Sequence, residues 1–185
     1  MKRVVLMALA LLGVSSFALG QDIGSIDVFS DAALTTCNFT EDGGSLKVYV
    51  AHTHSTGTAA SMWKLTRSGG AEGTVLELLS TTSPYLSLGS NVEESFAVSY
   101  QGCLSGSFLI ATVTYLGEGL TPACALFTIE PANDAPTGKI EMVDCADNKF
   151  VLDQAGQGRI NPDGTCQCSV PASATTWGKV KALYN

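Results

Sequence analysis

Alternation of apolar and polar residues is the main structural signal along this chain. Phe96, Val98 and Tyr100 alternate with smaller or polar neighbours, which is typical of a half-buried β-strand. The nearby stretch 107–116 carries no charge, is apolar on both faces where it begins, and has glycines on both sides. Strands that are apolar on both faces lie in the middle of a sheet. We therefore predict that residues 107–116 form the central strand of the fold.

Short alternating runs of the same kind recur through the rest of the chain and are separated by turn residues. Their predicted inward-facing residues include Ile26, Val28, Leu46, Val48, Val50, Trp63, Leu65, Tyr115, Phe127, Ile129, Ile140 and Met142. Eight or nine short strands at this spacing, with almost no helical periodicity, predict an all-β fold, namely an antiparallel β-sandwich. Near the end of the chain, Trp177, Val180 and Tyr184 are spaced as on one face of a helix. This spacing predicts a short C-terminal helix that must dock on the sandwich, because so short a helix is unstable alone.

The N-terminus has the pattern of a Sec signal peptide. Lys2 and Arg3 precede an apolar run over residues 4–14, and Ala18 and Gly20 are small residues at the positions that signal peptidase recognises. The apolar run is too short to cross a membrane and no second one follows, so we predict no membrane span. The predicted location is the periplasm or the cell exterior.

These patterns divide the chain into three predicted parts. Residues 1–20 are the signal peptide, and residues 21–152 form the β-sandwich domain. Residues 153–185 form an irregular segment that contains disulfides and ends in the short helix. The irregular part is rich in glycine, proline and serine, which favours turns over strands.

All six cysteines lie after the signal peptide. An even number of cysteines in an exported chain predicts disulfides before a metal site. If residues 124–130 and 139–145 pair antiparallel across the proline-containing loop between them, Cys124 lies directly opposite Cys145 at a distance that a disulfide tolerates. We therefore predict a Cys124–Cys145 disulfide.

The same argument leaves four cysteines without a fixed partner. Cys103 precedes the predicted central strand, so it lies far from Cys124, which follows the other end of that strand. Cys103 then pairs with Cys37 or with the region of Cys166 and Cys168, and we prefer Cys37. The sequence does not determine the remaining pairing.

The acidic net charge of the chain argues against two classes of partner. The chain has 10 basic and 17 acidic residues, and loss of Lys2 and Arg3 with the signal peptide leaves a formal net charge of −9. An acidic chain without a basic cluster does not favour nucleic acid or an anionic membrane as a partner. The acidic residues are scattered, as on an ordinary exported surface.

No combination of residues forms a recognisable catalytic or metal-binding motif. His52 and His54 point the same way if they lie in a strand, but no carboxylate is close in sequence, so we predict no metal site there. No serine stands in a nucleophile motif. Loop oxygens of Asp144, Asp147 and Asn148, or of Asp163 with Asn161, leave a structural calcium open, although neither group has a known calcium-loop spacing. We predict no catalytic residue, no cofactor and no resident metal.

Several stretches resemble those of a loosely defined set of uncharacterised secreted proteins of bacterial type. The stretches are Ile26-Asp-Val-Phe-Ser-Asp31, Val48-Tyr-Val-Ala-His52, Gly102-Cys103, Ala111-Thr-Val-Thr-Tyr-Leu116, Val143-Asp-Cys145, Asn161-Pro-Asp-Gly-Thr-Cys-Gln-Cys168 and the tail Thr176-Trp-Gly-Lys-Val-Lys-Ala-Leu-Tyr184. The resemblance implies an exported β-sandwich and no known activity. The order of strands is also distantly similar to cohesin or bacterial Ig-type modules, a likeness of fold that fixes no function.

Three hypotheses about function follow. The leading one is an exported, non-enzymatic β-sandwich that acts as a structural, adhesive or protein-binding module with an unidentified protein or cell-surface partner. The second is a carbohydrate-binding module, which requires exposed aromatic residues such as Tyr49 and Tyr85 to lie side by side. The third is a small hydrolase, which requires His52 or His54 in a pocket with a serine or a carboxylate.

The exported protein is predicted to begin at Gln21, because Ala18 and Gly20 occupy the positions that signal peptidase recognises. Intact mass spectrometry of the exported protein checks this prediction. A mass that includes residues 1–20 would contradict it and would also weaken the argument for disulfides.

Overall fold

The computed structural model of the protein describes residues 23–73, 75–152 and 155–169. The predicted signal peptide and the predicted C-terminal helix lie outside these residues. The described chain is all β, and its strands form two packed layers. This arrangement confirms the prediction of a β-sandwich.

Ten strands are present in the described residues. They are β1 (Ser25–Phe29), β2 (Asn38–Phe39), β3 (Gly44–Ser68), β4 (Leu76–Thr82), β5 (Leu86–Leu88), β6 (Phe96–Gly117), β7 (Ala125–Glu130), β8 (Ile140–Asp144), β9 (Lys149–Leu152) and β10 (Gln157–Ile160). With 25 and 22 residues, β3 and β6 are far longer than the others. They replace pairs of short predicted strands, because β-bulges rather than turns connect the successive runs.

The first layer is built on the antiparallel pair of β3 and β6. On its other edge β6 pairs with β4 and β5, so residues 107–116 are part of a central strand, as predicted. The other edge of β3 pairs first with β1 and then with β8, and β9 follows β8. The core strand β3 therefore has partners on both sides over residues 49–53 and 58–62.

The second layer consists of β2, β10, β7 and the last part of β3, residues 64–68. β3 thus belongs to both layers and connects them. All strand pairs are antiparallel except β2 with β10, which is parallel. The strand β10 lies in the segment that the sequence predicted to be irregular, so that prediction is wrong for residues 157–160.

Aromatic side chains from both layers meet in the core. The ring centroid of Phe127 lies 5.1 Å from that of Phe39 and 5.3 Å from that of Tyr115, which belongs to the first layer. Gly158 of β10 passes close to the Phe39 ring, where a Cβ atom would lie only 2.4 Å from a ring carbon. A larger residue than glycine would therefore push β10 away from the core.

All six cysteines form disulfides, which confirms the predicted role of the cysteines. The pairs are Cys37–Cys168, Cys103–Cys145 and Cys124–Cys166. The predicted pairs Cys124–Cys145 and Cys37–Cys103 are therefore wrong.

The error lies in the assumed strand pairing. β7 and β8 do not pair with each other, because each pairs with a different part of the long strand β3. β6 and β8 instead flank β3 on its two sides, and the Cys103–Cys145 disulfide crosses β3 at Gly57. A Cβ atom at Gly57 would lie 3.2 Å from the Cys145 sulfur, so glycine leaves the room for this crossing.

Phe127→Ala is expected to lower the free energy of unfolding by about 3–5 kcal/mol, because it removes a ring that joins the two layers and leaves a cavity. Chemical denaturation of the oxidised protein measures this loss. Leu120→Ala is the control, since the Leu120 side chain is 66% exposed and packs little. Equal effects of the two substitutions would contradict the described core.

Candidate functional site

An exposed apolar surface covers part of the outward side of the first layer. Four adjacent strands, β5, β6, β3 and β8, contribute two rows of side chains to it. The registers place Leu88, Ala97, Met62 and Glu141 in one row and Leu86, Ser99, Ala60 and Val143 in the next. We call these eight residues the apolar face.

The apolar face is exposed to solvent and is wide enough to contact an α-helix. Leu86 and Leu88 are 58% and 69% exposed, although leucine is usually buried. Side chains of both rows line a shallow groove of about 250 Å³. Three strand spacings separate β5 from β8, which is roughly 14 Å, enough to accommodate one α-helix about 10 Å across.

Charged groups flank this surface at β8 and β9. The Glu141 carboxylate accepts hydrogen bonds from the backbone N–H and the hydroxyl of Thr137, at 3.0 and 2.8 Å. Val151 of β9 lies next to Glu141 and is 42% exposed, while Lys149 lies next to Val143. The surface therefore combines apolar side chains with one carboxylate held in a fixed position.

This surface was not predicted from the sequence, because only the inward-facing residues of each strand were used to identify the strands. Ile140 and Met142 were predicted to face the core, and both are buried. The intervening Glu141 and Val143 then face outward, as does Met62 beside Trp63. Apolar residues at successive outward positions were the signal that could have identified the apolar face.

His52 lies in a buried polar network rather than in a pocket. Its Nε2 donates to the backbone carbonyl of Ile23 at 2.7 Å, and Nδ1 lies 3.1 Å from the Tyr100 hydroxyl. The Tyr100 hydroxyl lies in turn 2.7 Å from Ser61 Oγ, and the Phe108 ring packs on the imidazole at 5.4 Å. The His52 side chain has no solvent-accessible surface, so its hydrogen bonds stabilise the interior of the protein.

Burial lowers the pKa of His52 from its ordinary value, because the interior disfavours the charged imidazolium. The carbonyl of Ile23 and the negative charge of Asp27 oppose this shift but do not reverse it. Asp27 accepts hydrogen bonds from Ser25 at 2.5 Å and from Thr53. The folded protein therefore favours the neutral form of the His52 imidazole over the charged form.

The structure does not assemble the residues that a hydrolase would need. His54 is exposed, and its backbone N–H, rather than its ring, donates to Ser107 Oγ at 3.2 Å. The imidazole of His52 is sealed inside the sandwich. Among the described residues, neither histidine faces a groove together with an accessible serine or carboxylate.

The aromatic residues do not form a platform either. The Tyr85 ring packs against Tyr100 at 5.5 Å and Phe108 at 6.3 Å, so its faces are used in packing. Tyr49 lies in β3 opposite Thr112, and within the described part of the chain its ring contacts no other aromatic ring. The two tyrosines that a sugar-binding surface would require are not brought together.

The candidate loop carboxylates bind their own backbone. Asp144 accepts the N–H groups of Ala146 and Asn148, both at 2.8 Å, and Asp163 accepts that of Thr165 at 2.7 Å. Hydrogen bonds from the side chains of Asn148 and Thr165, together with these backbone bonds, lower the pKa of Asp144 and of Asp163, respectively. Both carboxylates therefore stabilise the turns of their own loops.

Asp163 also lies near two sulfur atoms, those of Cys124 and Cys166. The two cysteines are joined in a disulfide, and disulfide sulfurs are not thiolate ligands. This group therefore does not present the ligands of a metal site.

Known proteins share the fold but not the sequence. Neither a protein-family model nor a curated protein sequence matches the chain. A non-cellulosomal cohesin from the archaeon Archaeoglobus fulgidus matches 76% of this chain and 93% of its own, with a TM-score of 0.51 and 13% identity. The seventh ScaB type I cohesin from Pseudobacteroides cellulosolvens matches 82% and 97%, with a TM-score of 0.50 and 14% identity.

A third match is a chain from the CaDoc0917–CaCohA2 complex, with a TM-score of 0.51 and 11% identity over 75% of this chain and 100% of that chain. At these identities the matches show a cohesin-like fold, in agreement with the distant likeness stated above. Among the described residues, no helix is long and apolar enough to cross a membrane.

Stability is expected to fall as the pH drops below about 6.5, the ordinary pKa of histidine. The unfolded chain then binds a proton at His52 that the folded chain excludes until its lowered pKa is reached, so unfolding is favoured. Chemical denaturation at a series of pH values from about 5.5 to about 7.5 measures the slope of the free energy of unfolding against pH.

The two histidines provide a matched pair of variants for this test. His52→Gln should remove much of the slope, while His54→Gln, at an exposed position, should retain it. An unchanged slope in His52→Gln would show that another group is responsible.

Proposed function

We propose that the protein is an exported, non-enzymatic module that binds another protein through the apolar face. The observation that carries this proposal is the exposure of Leu86 and Leu88 on the same outward side of the sheet as Met62 and Val143. Exposed apolar patches of this kind mark interaction sites. The cohesin-like fold supports the proposal, since one of its relatives is part of a complex.

The width and the charges of the apolar face favour a helical partner. An amphipathic helix lays its apolar side into a shallow apolar groove, and the groove lined by the two rows accommodates such a helix. The fixed carboxylate of Glu141 favours a lysine or arginine at the edge of that helix. The partner we propose is therefore an amphipathic helix with a basic residue beside its apolar stripe.

Exported location is part of the proposal. Three disulfides within the described residues favour an oxidising compartment. The N-terminal pattern of a signal peptide adds to this inference. The carbohydrate-binding and hydrolase hypotheses receive no support from the positions of Tyr49, Tyr85, His52 and His54.

A comparison of two double variants tests the apolar face. Immobilised mature protein captures partners from secreted and surface fractions of the source organism, and captured proteins are purified and titrated directly. Leu86→Glu with Leu88→Glu should weaken the affinity on the order of 10–100-fold, because these exposed leucines would anchor the partner. Glu141→Lys should also weaken binding, through repulsion of the basic residue.

The control variant carries the same substitutions elsewhere. Leu79→Glu with Leu120→Glu changes leucines that are 52% and 66% exposed but lie outside the apolar face. It should bind as the unmodified protein does. Equal binding by both double variants, or failure to recover any partner that distinguishes them, would overturn the proposal.

A further inference from the structure

The chain between Cys166 and Ser169 runs along the outside of the second layer. Cys166 is bonded to Cys124, directly before β7. Two residues later, the sulfur of Cys168 lies 3.2 Å from the carbonyl oxygen of Gln157, whose partner in β7 is Thr128. The chain therefore advances beside β10, on the edge away from β7, in the direction from Ile160 to Gln157, which is also the direction in which β7 runs towards its C-terminal end.

A groove of about 630 Å³ continues in the same direction. Its near end is formed by Cys168 and Ser169 together with Gln157 and Arg159. The backbone N–H of Cys168 donates to Asn38 Oδ1 at 2.9 Å, so the chain enters the groove from a fixed position. Ser169, the last residue that the structure describes, therefore lies at the wall of this groove.

The near end of the groove offers hydrogen-bond donors. The Arg159 guanidinium is half-buried there and makes no hydrogen bond or ion pair with other described residues. A guanidinium carries five N–H donors and favours carbonyl or carboxylate acceptors. The backbone carbonyl groups of an extended segment would supply such acceptors.

The far end of the groove is apolar. Pro131, Ile140 and Ala155 form it, next to the end of β7 at Glu130. An aromatic or aliphatic side chain placed there would lose contact with water. The two ends together suit a segment that begins with small residues and later carries a large apolar one.

The sequence that follows Ser169 has this order. Residues 170–176 are Val-Pro-Ala-Ser-Ala-Thr-Thr, and Trp177 comes next. Proline favours an extended conformation in the residue before it. Eight residues in extended form reach at most about 26 Å, whereas the β7 wall from Thr128 to Pro131 is only about 10 Å long. Trp177 can therefore reach the apolar end.

We propose that residues 170–177 occupy this groove. The small residues line its polar walls, and Trp177 packs against Pro131, Ile140 and Ala155. The groove is lined mainly by β7 and β10 of the second layer. Ile140 of β8 also lines it, but its side chain faces inward and is not part of the apolar face, so the two proposed surfaces are distinct. It assigns a place on the sandwich to the C-terminal segment that the sequence predicts must dock.

Photocrosslinking in the full mature chain, with its disulfides intact, tests the proposal. Trp177 is replaced by the photoreactive residue p-benzoylphenylalanine, and the crosslinked peptides are identified by mass spectrometry. Crosslinks within one chain to residues 128–131, 140 or 155–159 are expected. Crosslinks to 60–62, 86–88 or 97–99, crosslinks between two chains, or no crosslinks would each overturn the proposal.

Two matched variants sharpen the test. Gln157→Phe places a bulky ring in the groove, and Lys149→Phe places the same ring on β9, outside the groove. Both positions are exposed, so both variants should fold, which thermal unfolding verifies. Gln157→Phe should reduce the crosslink yield several-fold, and Lys149→Phe should leave it unchanged. Equal yields from the two variants would show that the segment does not use the groove.

Discussion

The structure depends on the pairing of two unusually long strands, β3 and β6. Their register extends from Gly44 opposite Gly117 to Trp63 opposite Phe96, with irregularities between Val50 and Ala60. Long strands twist, and bulges add local bends that let a strand change its partners. β3 accordingly pairs with β1 over residues 49–53 and with β8 over residues 58–62, so the change of partner falls within the irregular region, and its last five residues pair with β7. One strand thus determines how both layers are placed.

The irregular region of β3 also explains the polar groups in the interior. Where the regular ladder is interrupted, side chains must satisfy polar groups, because an unpaired buried donor or acceptor is costly. Ser55, for example, lies 2.6 Å from the Thr58 hydroxyl and donates to the carbonyl of Leu104 at 2.9 Å. His52 belongs to this set. A buried histidine in this position is therefore a consequence of how the sheet bends, and it needs no catalytic explanation.

Local patterns predicted the strands, whereas long-range pairing could not be predicted from them. Alternation identified Trp63 and Tyr115 as core residues, since a strand has only two faces and one must be apolar. The Cys103–Cys145 disulfide was missed because it depends on β6 and β8 meeting across Gly57, which no local pattern records. β10 was missed because Gly158 and its polar neighbours resemble a loop, although the Phe39 ring requires glycine there.

The outward side of the first layer is polar at one end and apolar at the other, and folding alone does not require this difference. At one end the outward positions carry Lys47 and Thr114, which lie opposite each other in β3 and β6. At the other end the same two strands carry Met62 and Ala97, and β5 adds Leu88. A sandwich needs apolar residues only on its inward faces, and edge strands with exposed leucine invite unwanted association. Exposed leucines also occur elsewhere, as at Leu79 and Leu120, but at this end outward apolar residues of four adjacent strands lie side by side, and this clustering is the observation on which the proposed binding role of the apolar face rests.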